Sequence, residues 1–220
     1  MFVKEWNPSE TTFRWPTKTG NSSTRKSVWI NKSATESKIE LQLADTEKTS
    51  QYLRMPFNLS QPMNPTGGEN ERLTMEVAVT CPVMIEKIQA MDAACIHFGT
   101  CNALKCFGKE ISADSVKDRY TSPYRPATDE GKSNLLRLKL SEGKVEVLNF
   151  VDFNEETGKV RCKRGSVGLL TKGCHVAPIV EIPPLWFAAG DKQYGYSLQI
   201  SKVIVVTSSD RMSGTSIPFI

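Results

Sequence analysis

The chain has 220 residues and a mass of 24.5 kDa, with 39% hydrophobic and 24% charged residues. This length is enough for one domain with a full hydrophobic core, and the composition excludes a disordered chain. No apolar run approaches the roughly 20 residues of a membrane helix, and the start lacks the basic head and apolar core of a secretory signal. We therefore expect an intracellular protein in a reducing compartment, the nucleus or cytoplasm, with no membrane partner.

The formal net charge is +4, and the basic excess is unevenly distributed. Residues 1–130 carry 16 Lys/Arg and 16 Asp/Glu, whereas residues 131–220 carry 12 and 8. The whole excess thus belongs to the last 90 residues. A mild basic bias in one segment indicates a polyanionic partner.

The cysteines are expected to be reduced thiols, because nothing in the sequence points to an oxidising compartment. Cys95, His97, Cys101 and Cys106 have the spacing C-x-H-x3-C-x4-C. This spacing lacks the paired C-x2-C of common structural zinc sites, so we predict no metal site and no cofactor.

The first 50 residues are rich in Ser, Thr, Lys and Asn, which predicts a basic, weakly structured arm. Short strands are expected within it at Ser27–Ile30 and Lys38–Ala44. Residues 51–220 are expected to form the main domain. Its first strands are predicted at Tyr52–Leu59 and Leu73–Thr80.

Helices are predicted within residues 82–119. The first has Thr80 as its N-cap and ends before Gly99, with an apolar stripe of Met84, Ile88, Met91, Cys95 and Phe98. The second runs from Ser112 to about Arg119. Residues 121–132 contain two prolines and no periodicity, which indicates a connection.

The final 90 residues are predicted to be β-rich. Strands are expected around Leu136–Leu140 and at Val145–Phe153, Lys159–Arg164, His175–Ile182 and Tyr194–Thr207, with Trp186 and Phe187 in a connecting loop. The predicted class is mainly β (α+β): an OB-like Greek-key barrel with an N-terminal β/α elaboration and one or two helices. We expect residues 133–207 to form one closed or nearly closed antiparallel barrel.

Enzyme signatures are sparse. The chain has two histidines, and it contains no G-x-S-x-G, G-x-x-x-x-G-K-[ST] or H-E-x-x-H motif. We therefore predict a binding protein and no catalytic residues.

Basic residues alternate with apolar ones on the predicted strands. Lys159, Arg161 and Lys163 share one side of their strand, and Arg137 and Lys139 repeat the pattern on another. Such a row can follow a phosphate backbone without recognising sequence. An ordinary solvated outer face gives the same pattern, so both interpretations stay open.

Aromatic residues accompany these cations. Single-strand binders stack bases on exposed rings, and the candidates here are Phe150, Phe153, Trp186, Phe187, Tyr194 and Tyr196. Core packing is the alternative, because Tyr194 and Tyr196 are in phase with Leu198 and Ile200.

The stretch VEIPPLWFAAGDKQYGYSLQISKVIVV resembles the closing hairpin of a protein family of large DNA viruses. That family shows a strand, a W-F-x-x-G-K-x-[FY]-G-like turn and a long final strand; the architecture is also similar to phage single-stranded DNA-binding proteins. The resemblance covers roughly residues 120–207, with one inserted residue between Gly190 and Lys192. It touches Trp186, Phe187, Gly190, Lys192, Tyr194 and Gly195, and it implies an OB barrel, single-strand binding and an origin in a host cell or virion.

These observations together predict largely sequence-independent binding of single-stranded nucleic acid in DNA replication, recombination or repair. The partner would be single-stranded DNA, with RNA, replication proteins or self-association as further possibilities. The alternative is a viral structural or assembly protein that does not bind nucleic acid. The expected binding residues are Arg137, Lys139, Phe150, Lys159, Arg161, Lys163, Arg164, Trp186, Phe187, Lys192, Tyr194 and Tyr196.

Overall fold

The computed structural model describes residues 1, 3–16, 27–43, 52–61, 72–154, 159–188, 190 and 192–206. The predicted hairpin loop at 155–158 and the predicted strand ends Ala44 and Thr207 lie outside this part of the chain. Phe153 and Lys159 are described as strand backbone, and their side chains lie outside the description.

The described chain is mainly β with three α-helices, which confirms the predicted α+β class. The helices are α1 (Pro82–Cys101), α2 (Ala103–Phe107) and α3 (Ala113–Asp118), and short 3-10 turns span Val3–Glu5, Pro8–Glu10 and Val167–Leu169. The strands are β1 (Thr12–Arg14), β2 (Ser27–Asn31), β3 (Glu40–Gln42), β4 (Leu53–Arg54), β5 (Arg72–Val79), β6 (Tyr124–Arg125), β7 (Asn134–Ser141), β8 (Glu146–Asn154), β9 (Lys159–Arg164), β10 (His175–Glu181), β11 (Leu185–Phe187), β12 (Tyr194–Gly195) and β13 (Leu198–Val206).

A nine-stranded sheet curls into a half-barrel around β13. One edge of β13 pairs antiparallel with β10; the other pairs in parallel with β7 at Leu198–Gln199 and with β8 at Lys202–Val205. The expected all-antiparallel barrel of residues 133–207 is therefore corrected. Two of its pairings are parallel, and β3, β4, β5 and β6 join the sheet from earlier in the chain.

A second sheet has the order β1-β2-β11-β12, and all its pairings are antiparallel. Trp186 and Phe187 belong to β11 of this sheet, so their predicted loop position is wrong. The predicted strand Tyr194–Thr207 is divided into β12 and β13, which lie in different sheets. The division occurs at Tyr196 and Ser197, where the chain passes from one sheet to the other.

Helix α1 buries Met84, Ile88, Met91 and Cys95 of the predicted stripe, and Phe98 is partly buried against the core. The helix begins after Cys81 and continues through Gly99. Gly99 is buried against the Tyr194 ring, whose oxygen would lie 2.8 Å from a Cβ at that position. The glycine therefore serves close packing and does not end the helix. Across the described ranges, no helix is long and apolar enough to cross a membrane.

The two shorter helices have distinct end signals. The hydroxyl of Ser112 accepts a hydrogen bond from the backbone N–H of Ser115 (3.2 Å), which confirms the predicted start of α3. Helix α2 was not predicted. It ends at Gly108, whose φ of +74° is a left-handed conformation that favours glycine.

The described parts of the first 50 residues pack into the body of the protein, which differs from the expected arm. Val3 and Trp6 are buried in the main core, and the turns around them contact α1. Strand β2 pairs with β11, and β3 pairs with β10. The short strands predicted in this segment thus complete sheets that begin late in the chain.

Candidate nucleic-acid interface

The predicted alternation on β7 is present. Leu136, Leu138 and Leu140 are buried, whereas Arg137 and Lys139 lie on the opposite face. In the pairing with β5, Arg137 lies opposite Glu76 and Lys139 opposite Thr74, and Arg72 lies opposite Ser141. The outer face of these two strands therefore carries three cations and one carboxylate.

The charge of Arg137 is partly compensated by a carboxylate of the protein, Glu76. Its guanidinium lies 3.5 Å from Glu76 Oε1, and Arg125 approaches Oε2 of the same carboxylate at 3.1 Å. Arg137 is 49% exposed. Two arginines share one acid, so a net positive charge remains at this end of the row.

Lys139 is placed differently from Arg137. Its Nζ lies 5.6 Å from the centroid of the Trp186 ring, within the range of a cation–π contact. Burial lowers the pKa of the Lys139 ammonium, and the charges of Arg72 and Arg137 lower it further. Both Coulombic causes are cationic, which indicates a positive local potential that a phosphate would relieve.

An open cleft with a volume of about 1160 Å³ contains this pair. Arg72, Lys139, Lys144 and Trp186 contribute to its lining. Among the described lining residues, the one acid is Glu181, which lies 2.9 Å from Lys38 Nζ in an ion pair. The cleft is therefore basic, with an aromatic wall.

The position of Trp186 follows from strand alternation. Leu185 and Phe187 are buried on one face of β11, so Trp186 points to the other and remains half-buried. Its cross-strand partner is Gly195. A Cβ at Gly195 would lie 3.2 Å from Trp186 Cζ2 and would overlap the carbonyl oxygen of Thr121, so glycine leaves the space that the ring needs.

Four of the predicted stacking rings are core residues. Phe187, Tyr194 and Tyr196 are buried in the main core, and Phe150 is buried in a smaller cluster with Ile204 and neighbours. Phe187 and Tyr194 stack on each other with centroids 5.7 Å apart. Their expected role as exposed platforms is corrected, because no ring face is open to a base. For Tyr194 and Tyr196, the sequence signal for this outcome was their phase with Leu198 and Ile200.

Strand β9 carries the second predicted group of cations. Arg161, Lys163 and Arg164 are exposed. Arg161 donates from Nε to Asp152 Oδ1 at 3.0 Å, so its charge is compensated within the protein. Arg164 lines a smaller cleft of about 530 Å³ together with Lys144, which lines the main cleft as well.

The remaining candidate, Lys192, is not among the residues that line the cleft. Lys192 is exposed beside Gly190, whose φ of +76° is left-handed.

Two cations of the cleft, Arg72 and Lys144, were not predicted. The signal for Arg72 was available, since it is in phase with Thr74 and Glu76 on the outer face of β5. Lys144 occupies the turn between β7 and β8, and no periodicity identifies it.

Cys95, His97 and Cys101 lie on α1, and Cys106 lies on α2. Cys95 and Cys106 are buried, whereas Cys101 is exposed, with its Sγ 3.6 Å from His97 Nε2. No cluster of three or more His, Cys, Asp or Glu side chains suited to a metal ion is found among the described residues.

A half-buried carboxylate, Asp92, connects α1 to the segment before β6. Asp92 accepts hydrogen bonds from the Tyr120 hydroxyl (2.6 Å) and the Ser122 hydroxyl (2.7 Å). Burial raises the pKa of Asp92, while these two bonds lower it. The arrangement holds α1 against the chain that leads into the sheet, and it does not line the cleft.

No protein-family model matches the sequence, and no curated protein matches it significantly. The resemblance to a family of large DNA viruses therefore stays a prediction. The solved structures with overall likeness include three phage structures. The first is gp2.5, a single-stranded DNA-binding protein encoded by bacteriophage T7, at 11% identity and a TM-score of 0.46, covering 70% of this chain and 88% of that one.

The other two structures are of one phage protein. The single-stranded DNA-binding protein from bacteriophage Enc34, with a C-terminal truncation, has 10% identity and a TM-score of 0.39, and the match covers 89% of this chain and 95% of that one. The same phage protein in complex with single-stranded DNA has 11% identity and a TM-score of 0.37, with coverage of 87% and 93%.

Proposed function

We propose that the protein binds single-stranded nucleic acid, with DNA as the principal partner and RNA as a possible one, in the basic cleft beside Trp186. The observation that carries this proposal is the position of Lys139 Nζ, 5.6 Å from the Trp186 ring, in an open cleft that Arg72 and Lys144 also line. A cation beside a ring matches a nucleotide, which joins a phosphate to a flat base.

Each part of the cleft has a defined role in this proposal. Arg72, Lys139 and Lys144 attract successive phosphates, which is the sequence-independent part of binding. The half-buried Trp186 ring stacks on one base, and any base offers a π-face. Duplex bases are already stacked on their neighbours, so a strand with free bases is preferred.

The cations on β9 and in the β11–β12 turn extend the series of phosphate contacts beyond the cleft. Lys163, Arg164 and Lys192 are exposed, and Arg164 is linked to the cleft through Lys144. Lys159 begins the same strand. Arg137 and Arg161 contribute less, because each faces a carboxylate of the protein.

This activity serves DNA replication, recombination or repair, where single strands are exposed inside the cell. The protein acts by binding and not by catalysis, and replication proteins or further copies of the chain are its expected protein partners. A structural protein with no nucleic-acid affinity is the alternative, and it is an outcome of the experiment below.

The test measures the affinity of the full chain for a fluorescent oligothymidylate and for a duplex of equal length, over a series of salt concentrations. The Arg72→Gln, Lys139→Gln double variant is compared with a Lys109→Gln, Lys117→Gln control, which removes the same charge outside the cleft. We expect the cleft variant to reduce the salt slope by about 1.4, at about 0.7 per phosphate contact, and the control to leave it unchanged.

Trp186→Ala tests the stacking contact separately. We expect a loss of about 1–3 kcal/mol of binding free energy with little change in the salt slope, because stacking is short-range and not screened. The proposal is overturned if the wild type does not retain single strands at moderate salt, or if the cleft variants and the control bind alike. The alternative, a structural protein without affinity for nucleic acid, is then favoured.

A further inference from the structure

An exposed tryptophan, Trp29, lies on the same sheet face as the half-buried Trp186. On β2, Val28 and Ile30 are buried, whereas Trp29 points outwards and is 49% exposed. The register pairs Trp186 with Ser27, and Ser27 and Trp29 share the outward face. Trp29 is therefore a diagonal neighbour of Trp186, and such neighbours lie about 7–8 Å apart across a sheet.

The surface between the two rings is continuous with the cleft. Ser27 and Pro184 both line the cleft. One further step of the β2–β11 register places Trp29 opposite Pro184. A single-stranded nucleic acid that passes from Trp186 on β11 to the neighbouring strand β2 meets Trp29 next.

A cation accompanies Trp29 as Lys139 accompanies Trp186. Arg14 on β1 is the cross-strand partner of Trp29, and both line a small cleft of about 220 Å³. The acid in that cleft, Glu36, forms an ion pair with Lys32. Within the described part of the chain, Arg14 is found in no ion pair, so its charge remains available to a ligand.

We propose that Trp29 and Arg14 form a second nucleotide site, in which Trp29 stacks on a base and Arg14 contacts a phosphate of the strand held at Trp186. The inference rests on the proposed function and deepens it. Aromatic residues on one face of a small sheet can stack on successive bases of a single strand. The second sheet, β1-β2-β11-β12, is in this view a two-base platform beside the basic cleft.

The experiment compares wild type with Trp29→Ala on two probes of equal length, an oligothymidylate and an abasic deoxyribose-phosphate strand. A stacking loss of about 1–3 kcal/mol corresponds to a roughly 5- to 150-fold weaker affinity for oligothymidylate. The abasic strand offers no base, so we expect Trp29→Ala and wild type to bind it equally. Trp29→Phe keeps a stacking face and should retain most of the affinity.

Phe57→Ala is the matched control, because Phe57 is 51% exposed and lies far from the cleft in the sheet. It follows β4, which pairs with the first residues of β10, whereas the cleft lies at the last residue of β10, Glu181. It should bind both probes like wild type. Arg14→Gln should reduce the salt slope on both probes by about 0.7, since its contact is with phosphate. A thermal melt of each variant checks that the fold is intact.

The outcomes separate this inference from the proposed function. If wild type binds neither probe, the proposed function fails. If wild type binds and Trp186→Ala weakens binding, but Trp29→Ala matches Phe57→Ala, the second site alone is overturned. It is overturned equally if Trp29→Ala weakens binding to both probes by the same factor, because a contact that needs no base is not stacking.

Discussion

The indole ring of Trp186 lies over Gly195, its cross-strand partner in the β11–β12 pair. The glycine leaves no side chain beneath the ring, and its backbone lies against the carbonyl group of Thr121. The Trp186 ring therefore lies close to the backbone of Gly195, where it lines the cleft. This hairpin positions the aromatic wall of the proposed binding surface.

We expect Gly195→Ala to destabilise the protein and to weaken binding. The added Cβ would overlap a backbone carbonyl, which cannot move as a flexible side chain would, and overpacking of this kind costs about 1–3 kcal/mol. Denaturant unfolding measures the change. Gly168→Ala is the control, since its Cβ would meet Ser166 Oγ at an ordinary 3.6 Å. Equal unfolding free energies for the two variants would contradict the prediction.

The ion pair of Arg161 changes the expected effect of removing the β9 cations. Replacing Arg161 and Lys163 together with Ala should weaken all single-stranded sequences about equally, and it should reduce the salt slope by about 0.7 and not by twice that amount. The reason is that Asp152 already compensates Arg161. Salt titrations of both single variants test this, because Lys163→Ala should account for the change. A full contribution from Arg161 would show that the pair opens on binding.

Asp92 should make stability depend on pH in an unusual direction for a carboxylate. Its pKa is raised above the ordinary value of 3.8, mainly by burial, so the folded protein retains a proton that the unfolded chain has lost. Since the folded state binds more protons in that window, its stability falls as pH rises from about 3.8 through the raised pKa, and the loss is complete above it.

The measurement for Asp92 is urea unfolding over a pH series for wild type and Asp92→Asn. The difference between the two proteins isolates this carboxyl from all other titrating groups. We expect the stability of wild type relative to the variant to decline as pH rises above about 3.8. A difference that grows with pH would mean that the hydrogen bonds from Tyr120 and Ser122 outweigh burial.

Thiol reactivity should follow exposure. Cys101 is exposed and Cys162 half-buried, whereas Cys81, Cys95, Cys106 and Cys174 are buried. Burial also raises the pKa of Cys95 and of Cys174, which lowers their thiolate fraction. We expect a thiol reagent to modify Cys101 first in the native protein, and all six cysteines after denaturation. Cys101→Ser should remove the fast phase; a fast phase that persists would assign it to another cysteine.

The strands and the main helix were largely predictable, because their signals are local. The alternation of Leu136, Leu138 and Leu140 identified β7 and its outer face, and the helical spacing from Met84 onwards identified α1. Capping chemistry at Ser112 located α3. Such patterns depend on neighbours within a few residues, so the sequence displays them directly.

The composition of the cleft was only partly predictable. Lys139 and Trp186 were identified as candidates from their own strands, but their contact joins residues 47 positions apart in different sheets. Arg72 lines the cleft from a strand that pairs with β7, and Trp29 lies beside the cleft on a strand that pairs with β11; both pairings are long-range. No local pattern specifies which strands become neighbours.

The aromatic residues show which features follow from the sequence alone and which depend on tertiary packing. The sequence determined that Trp186 and Phe187 would point to opposite sides of any strand that contains them, since side chains alternate along an extended chain. Which side faces the core depends on what packs against the strand. Tyr194 and Phe107 cover Phe187, whereas Gly195 leaves Trp186 beside the cleft, and this choice exists only once α2, β11 and β12 have come together.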